Sequence, residues 1–527
     1  MKKTFLMIPM LFAMLATWAQ TLQVSGCQSG VWDADTVLVT DDVKVEGALE
    51  VLPGTTVLFD GFYSISVSDG AEFSALGSAD DSIVFTVADT TGFHNEYFGK
   101  GGWNGFQVSM GRARFDYCVL QYGKAINEDK DEDGGAINIQ GGDVTIAHST
   151  LRCNFSCDRG GAIHAENADL TMYSCRVNDN VCESENGAYA MYGGGISLLK
   201  CHVDMRDMEF LRNYGPRCIG GALSCDSCKV DLHNAVFADN IGINGGGMYM
   251  MRNNHTVSTV YNVVFRHNYS YHFGGGLAFA DSSPYVYNLL VTDNSSEGVN
   301  CNGVFFYGHC QPKVYNCIVY GNYPPYDPGF PMDSIQMWVW ATDGYGPEFY
   351  NCLIEGGRTL ISNEEYIKVF ENIIDADPLF MDASNNDFRL QEGSPCRDAG
   401  HAFVPYDLLE GTDLGGLRRV SNGRIDIGPY EYSASSVPQY DMGSSWARLI
   451  GTPLNAESCL VTNLSRPQRV TVRVCSLTGR IVYETVFEAA AGLQHWKLDG
   501  LAEKLASGLY VFEVVADEGT CSIKAVR

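Results

Sequence analysis

The sequence is short of basic residues and of charge in general. Lysine and arginine number 35 against 63 aspartates and glutamates, charged residues make up 19% of the chain, and the formal net charge is −28. Nucleic-acid-binding faces need clustered lysine and arginine, so this composition excludes nucleic acid as the default partner. The chain also lacks a long apolar run after its first 19 residues, so no membrane span is expected.

The one apolar run lies at the N-terminus and is typical of a secretory signal peptide, residues 1–19. Two lysines precede an apolar core at residues 5–16, and a cleavage site of suitable residues ends at Ala19. No cysteine follows the core directly, which argues against a lipoprotein. All 18 cysteines therefore belong to an exported chain, in a compartment where disulfides persist. Their number does not determine their pairing.

Two interleaved phrases repeat through the middle of the chain. A Gly-Gly-x-apolar phrase begins at residues 134, 160, 193, 220, 245 and 274. An asparagine preceded by an apolar strand recurs at intervals of 26, 33, 27, 28, 26 and 28 residues, at Asn154, Asn180, Asn213, Asn240, Asn268, Asn294 and Asn322. A fixed period of this size predicts a solenoid in which each coil stacks on the last.

The pattern around each asparagine predicts a strand followed by a turn. Val263 and Phe265 stand five and three residues before Asn268, and their equivalents in other coils are also mostly apolar, so these positions should point inward. Each asparagine can then stack its amide on the next coil. A leucine-rich repeat shares the period, but these coils lack a helical segment and carry a glycine corner. We therefore predict an all-β chain: a right-handed parallel β-helix followed by a small C-terminal β-sandwich.

The same register places certain cysteines one above another. Cys201 and Cys228 follow their glycine corners by eight residues, and Cys317 and Cys352 share an inward position. A separation of about 4.8 Å between neighbouring strands allows a disulfide, and stacked free thiols fit equally well.

Three segments resemble known families. The GGAI and FxxN phrases, the latter at 210–213, 237–240 and 265–268, resemble the polymorphic outer membrane protein repeat. The phrases DADPLF, GSPCRDAG and RIDIGPYEY, between 375 and 432, resemble a choice-of-anchor Q segment. The implied domains are an N-terminal cap and first coils (20–115), repeats (116–375), a closing segment (376–432) expected to cap the last coil, and a linker (433–458).

Residues 459–527 resemble the type A C-terminal sorting domain of type IX secretion. Leu477, Gly479, Gly508, Tyr510 and Lys524 carry the match, while Ser476 replaces the usual aspartate. This resemblance implies the type IX secretion machinery as a partner and delivery to the outer-membrane cell surface or the medium.

No catalytic signature stands out. Parallel β-helices include polysaccharide lyases and glycoside hydrolases, yet no lyase or polygalacturonase motif and no distinctive carboxylate pair is present. His164, His202 and His233 are expected to decorate coil faces. We therefore expect a non-catalytic binding or adhesion protein for glycan or host-protein ligands. A polysaccharide lyase or hydrolase, or a structural surface stalk, remains an alternative.

Two clusters are candidate sites. Alternate carboxylates before the first Gly-Gly resemble the start of a calcium loop and could hold Ca²⁺, although a solvated acidic turn is the simpler reading: Asp129, Asp131 and Asp133. Aromatic residues gather in a proline-rich insertion at 323–350, where they could stack on sugars or a protein, or pack the loop onto the coils: Tyr323, Tyr326, Trp338, Trp340 and Tyr345.

Overall fold

A computed structural model describes residues 20–433 and 447–526, with internal gaps. The gaps are 96, 127–132, 185–190, 298–300, 324–334, 343, 402–403, 405–410, 421–423, 451–458, 465, 477–479, 491, 498–504, 506–508 and 517–518. The chain divides into two compact units, 1–436 and 437–527. The described residues contain no helix with the length and hydrophobicity that a bilayer span requires.

The first unit is a parallel β-helix whose coils run through three long faces, A, B and C. Two long strands, Thr21–Trp32 and Thr36–Val51, each wrap around all three faces. Face A then continues through Ile65–Val67, Phe106–Ser109, Ile137–Gln140, Ile163–Glu166, Ile196–Leu199, Leu223–Asp226, Met248–Met251, Leu277–Ala280, Val304–Gly308, Met337–Ala341 and Ile361–Ser362.

Faces B and C follow face A in each coil. Face B contains Glu72–Leu76, Arg112–Asp116, Asp143–Ala147, Asp169–Tyr173, Tyr285–Tyr287, Lys313–Tyr315, Glu348–Tyr350 and Val369–Glu371. Face C contains Thr56–Phe59, Ile83–Val87, Cys118–Gln121, Thr150–Arg152, Arg176–Asn178, Leu290–Thr292, Ile318–Val319 and Leu353–Ile354. Three longer strands bend across both faces: His202–Leu211, Lys229–Ala238 and Thr259–Arg266.

A short fourth side, corner D, lies between face C and the glycine phrase of the next coil. Its strands are Phe155–Ser156, Val181–Cys182, Met191–Tyr192, Cys218–Ile219, Ile241–Asn244, Tyr269–Phe273 and Ser295–Ser296. The glycine phrase turns the chain from D into A. At Gly160, with φ of 61°, a Cβ atom would stand 1.9 Å from the Ile163 carbonyl oxygen, so only glycine fits.

The core confirms the predicted register and the predicted β-helix. Val263 and Phe265 are fully buried, and Phe265 stacks on Phe237 of the preceding coil with ring centroids 4.7 Å apart. The asparagines form the predicted ladder, in which each amide Nδ2 donates to the Oδ1 of the next coil at 2.9–3.0 Å and Gln336 accepts from Asn322 at the end.

The closing segment, residues 376–432, runs along the flank of the solenoid instead of serving simply as an end cap. Outward side chains of four successive coils on face C, among them Val264 and Leu353, pack against Phe388, Leu390 and Ile427. Asparagines 262, 288, 316 and 351, which lie where the chain passes from face B to face C, form hydrogen bonds with the backbone of this segment. For example, Asn351 Nδ2 donates to the Ala399 oxygen at 2.8 Å. This flank segment explains why Val264, at an outward position, is buried.

The flank segment also carries a buried ion pair. Arg419 contacts Glu431 at 3.0 Å, and both side chains are almost fully buried. Arg419 also bonds Asn262 of the solenoid. Short structural elements complete this part of the unit: an antiparallel pair, Phe380–Asp382 with Asp387–Leu390, and 3₁₀ turns at Gly357–Leu360, Glu364–Tyr366 and Ala383–Asn385.

The second unit is wholly antiparallel where described. One sheet contains Ala447–Ile450, Cys459–Leu464 and Gly492–Lys497, and the other contains Ile481–Ala489, Gln468–Ser476, Leu509–Ala516 and Gly519–Val526. A separate core that includes Leu460, Val472 and Phe512 joins them. This agrees with the predicted small C-terminal β-sandwich.

Candidate functional site

The outward side of face A changes in chemical character along the solenoid. Because side chains alternate across a strand, each coil presents two outward positions there. In the earlier coils these positions hold polar and charged groups with the exception of Leu199: Asn138, Gln140, His164, Glu166, Ser197, Ser224 and Asp226. In the later coils they hold alanine and aromatic groups: Ala278, Ala280, Phe305, Tyr307, Trp338 and Trp340. The polar and aromatic ends of one face are therefore two candidate sites.

The aromatic end forms a partly exposed surface, the aromatic shelf, made of Tyr307, Trp338 and Trp340. The two tryptophan rings are nearly parallel with centroids 5.9 Å apart, and Tyr307 meets Trp340 edge-on at 5.9 Å. Tyr307 is 44% and Trp340 51% exposed, whereas Trp338 is half-buried against Phe273 and Phe305. The shelf is thus anchored at one side and open at the other.

The structure brings together only part of the predicted aromatic set. Trp338 and Trp340 lie on a strand of face A, Met337–Ala341, and not on a protruding loop. Tyr345 lies in the turn that follows this strand, and its ring packs edge-on against the His309 ring with centroids 4.8 Å apart. Tyr323 donates its hydroxyl to Glu355 at 2.8 Å, on the side where face C ends. Tyr326 lies outside the described residues.

The floor beside the shelf is made of small residues. Ala278 and Ala280 occupy the two outward positions of the coil that precedes Tyr307, and both are buried. Tyr249 lies one coil earlier, and Phe273 of corner D stacks on Phe305 with centroids 4.7 Å apart. Aromatic side chains therefore stand on both sides of an alanine floor.

The polar end contains a small cavity of about 140 Å³, which we call the Arg159–Arg252 pocket. Its lining includes Arg159, His164, Tyr192, Ser197, Asp226 and Arg252. Arg252 Nε donates to Asp226 Oδ1 at 2.7 Å, and the Arg159 guanidinium lies 5.8 Å from the Tyr192 ring centroid. The pocket therefore carries charges of both signs, with two arginines against one aspartate.

His164 forms the base of this pocket. Corner D covers it completely, contrary to the expectation that it decorates a coil face. Neither ring nitrogen makes a hydrogen bond of normal geometry. Burial, and secondarily the charge of Arg159, lowers the pKa of His164 to about 3. The imidazole is therefore neutral at physiological pH and withdrawn from solvent.

The other two histidines behave more nearly as predicted. His202 is exposed, with its Nδ1 3.2 Å from Asp169 Oδ1. His233 is half-buried and lies parallel to the Tyr261 ring, with centroids 4.7 Å apart. Neither histidine joins the pocket or the shelf.

The predicted calcium cluster is described only at Asp133. Its Oδ2 lies 3.8 Å from Nε2 of His164, so this carboxylate faces the polar end of face A. Asp129 and Asp131 lie outside the described residues, and the calcium assignment stays a prediction. Within the ranges that the structure covers, no group of three histidine, cysteine, aspartate or glutamate side chains is arranged to hold a metal ion.

The stacked cysteines are free thiols. Cys228 Sγ accepts from the Cys201 amide at 3.3 Å, and Cys352 Sγ accepts from the Cys317 amide at 3.4 Å. Of the two readings of the sequence, the structure therefore shows the stacked thiols. Burial raises the pKa of Cys225 well above its usual value, which makes this thiol of the Cys225-x-x-Cys228 pair unreactive.

Sequence reasoning missed Tyr307, Arg159 and Arg252. The last glycine phrase begins at residue 274, so no phrase aligns the coils of Tyr307 and Trp340. Only the strand pairing places both in one outward row. The two arginines lie in turns, and only the packing of corner D on face A brings them to one pocket.

Comparison with known proteins adds no relative. No protein-family model matches the sequence, and no curated protein sequence matches it significantly.

Proposed function

We propose that this is an exported, cell-surface β-helix that binds a glycan without cleaving it, through the aromatic shelf. The observation that carries the proposal is the placement of Tyr307, Trp338 and Trp340 on adjacent rungs of one outward face. Flat rings that are already held in place can stack on sugar rings with little loss of conformational entropy.

The dimensions of face A suit an extended polymer. Successive rungs of a parallel sheet stand about 4.8 Å apart, so the six steps between the seven rungs from His164 to Trp338 span about 29 Å. A chain lying along this face would meet the aromatic shelf at one end and the Arg159–Arg252 pocket at the other. Its sugar rings would stack at the shelf, and its hydroxyl groups would find donors and acceptors at the pocket.

Burial favours binding over cleavage. A lyase or hydrolase needs a base or acid within reach of its substrate, but His164 is covered by corner D. The carboxylate of Asp226 is held by Arg252, and Asp226 itself is buried. The runner-up function is nevertheless a polysaccharide lyase or hydrolase acting at this pocket, and a passive stalk is the third.

The route to the surface is part of the same proposal. The signal peptide would direct the chain across the inner membrane, and residues 459–527 would engage the type IX secretion machinery. The separate antiparallel core of the C-terminal unit supports a module that folds apart from the solenoid.

A glycan array probed with the exported chain tests the binding function. Trp340→Ala and Tyr307→Ala should each lower the affinity for any glycan that binds by tenfold or more. Both variants should leave the circular dichroism spectrum unchanged. Phe98→Ala removes another exposed aromatic ring, distant in sequence from the shelf, and should leave binding unaltered. Equal losses with Phe98→Ala, or no loss with Trp340→Ala, would contradict the shelf as the site.

Incubation of the same protein with uronate-containing and neutral polysaccharides, with and without calcium, tests the alternative. New reducing ends, or absorbance from unsaturated uronates, would favour the enzyme. The absence of both, together with shelf-dependent binding, supports the proposal.

A further inference from the structure

The first strand of the solenoid leaves one long edge without a neighbour. Thr21–Trp32 pairs in parallel with Thr36–Val51 and with no other strand among the described residues. Such an edge presents a row of backbone donors and acceptors that can pair with another chain. The coils therefore begin at Thr21, and no capping element covers this end within the part of the chain that the structure describes.

This edge lacks the charged residues and proline that commonly prevent edge pairing. Its sequence, TLQVSGCQSGVW, contains neither, in a chain with a net charge of −28. Its two breaks in register fall only where the strand turns from one face to the next. Leu22 aligns with the inward Val37 and is nevertheless 37% exposed, because no described residue packs above it. The end of the apolar core is thus open to a partner.

The edge is also bent, which limits what can pair with it. Thr21–Val24 lies on face C, Gly26–Gln28 on face A and Gly30–Trp32 on face B, with breaks in register at Ser25 and Ser29. A partner must follow the same three-sided path to pair along the whole edge. The first coil of a second copy has that path.

The register has an internal symmetry that fits such a pair. The two breaks are equidistant from Cys27, so a two-fold axis through Cys27 places Ser25 opposite Ser29 of the other copy. The same axis sets the face C piece antiparallel to the face B piece of the second copy. Antiparallel partners of this kind form two-fold, isologous interfaces.

Side-chain direction agrees with this axis at every paired position. The inward residues align with buried residues of the second coil: Leu22, Val24, Gly26, Gln28, Gly30 and Trp32. Under the two-fold pairing, Leu22 meets Trp32, Val24 meets Gly30, and Gly26 meets Gln28. Inward residues therefore face inward residues, whereas a slip by one residue would reverse them.

We infer that two copies of this chain associate head to head, by antiparallel pairing of their Thr21–Trp32 edges about a two-fold axis at Cys27. The pairing closes the open ends of both cores and gives a continuous solenoid with an aromatic shelf on each half. The inference does not depend on the proposed glycan binding.

Charge placed at one cross-strand pair tests the register. Gln23 and Val31 point outward and stand opposite each other only across the proposed interface, since they lie on different faces of one coil. We use the chain that starts at Gln20, the form expected after signal-peptide cleavage. Wild type should sediment as a dimer. Gln23→Lys with Val31→Lys sets like charges opposite each other and should raise the dissociation constant about tenfold or more.

Two matched variants complete the test. Gln23→Glu with Val31→Lys restores opposite charges across the same pair and should recover the dimer. Met110→Lys with Val257→Lys adds the same charge at exposed positions on other coils and should leave the dimer intact. A monomeric wild type, or a dimer that the paired lysines do not weaken, would overturn the inference. So would a double-lysine effect that the glutamate variant fails to reverse.

Cys27 gives an independent readout of the axis, because its exposed thiol would face the same thiol of the second copy. Directly opposite Cα atoms in antiparallel strands stand about 4.5–5.5 Å apart, within disulfide range. Oxidised glutathione supplies the oxidant: one Cys27 thiolate displaces a glutathione thiol, and the second attacks the mixed disulfide and releases the other. We expect the wild type to cross-link rapidly. The paired lysines should slow cross-linking tenfold or more, and Cys27→Ser should abolish it. Cross-linking that ignores the lysines would contradict the axis.

Discussion

Removing one rung of the asparagine ladder is a sharp test of how the solenoid is held together. Asn268 makes four side-chain hydrogen bonds and is fully buried. Its Oδ1 accepts from the Asn240 amide at 3.1 Å and from Asn240 Nδ2 at 2.9 Å, and its Nδ2 donates to the Phe237 oxygen and to Asn294 Oδ1, both at 2.9 Å. Asn268→Ala removes all four.

The size of the effect follows from what each partner retains. Asn240 Nδ2 keeps its bond to the Phe210 oxygen, and Asn294 Oδ1 keeps the Asn268 amide. The Asn240 backbone amide loses its acceptor inside the core. An unsatisfied buried donor costs about 1–3 kcal/mol and each of the three other lost bonds about 1 kcal/mol, so Asn268→Ala should lower the free energy of unfolding by about 4–6 kcal/mol.

Urea unfolding followed by the β-sheet circular dichroism signal measures the loss, with Asn95→Ala as the control. Asn95 is exposed, and its Oδ1 accepts one local bond from the Tyr97 amide, so the control should change stability by about 1 kcal/mol or less. Hydrogen exchange should accelerate specifically at the Asn240 amide. If Asn268→Ala unfolds at the same urea concentration as Asn95→Ala, the ladder does not contribute measurably to the stability of the solenoid.

Three further predictions follow from burial and domain organisation. Phe265→Asp buries a charge without a partner against the Phe237 ring, and thermal unfolding should show a loss of several kcal/mol; a wild-type melting temperature would contradict the register. Deleting residues 459–527 should leave the solenoid folded but hold it in the periplasm, and cell fractionation that finds it at the surface would refute the sorting assignment. The pKa of His164 falls from 6.5 to about 3 on folding, so its contribution to stability is full above pH 6.5 and is lost as the pH falls toward 3. His164→Gln should flatten that part of the stability curve, and an unchanged acid limb would show that His164 does not titrate as inferred.

The core of the solenoid was predictable because it repeats. Val263, Phe265 and Asn268 recur with the coil period, so the alternation of a strand fixes which of them point inward. Gly160 was predictable for a similar reason, since a corner with positive φ tolerates no side chain there. These features depend on neighbours within one coil or one rung away.

What the sequence did not reveal depends on contacts between distant segments. Asn262 looks like one turn residue among many, yet it binds Arg419 and the backbone of Thr412, which lie 157 and 150 residues later. Trp338 and Trp340 were expected in an insertion loop because prolines precede them, and only pairing with Phe305 and Tyr307 shows a strand. The burial of His164 likewise requires corner D to fold over face A.

The arrangement of the coil faces also argues for where a ligand can bind. Face C of the later coils is covered by the flank segment, whose Phe388 and Leu390 pack on Leu290 and Ile318. In the same coils the aromatic shelf of face A stays open, with Tyr307 and Trp340 exposed beside buried Ala280. The chain covers the apolar strip on face C with its own residues but leaves aromatic rings exposed on face A. Exposed aromatic rings lower the solubility of a protein. The proposed ligand binding at the shelf would account for that difference between two faces of the same coils.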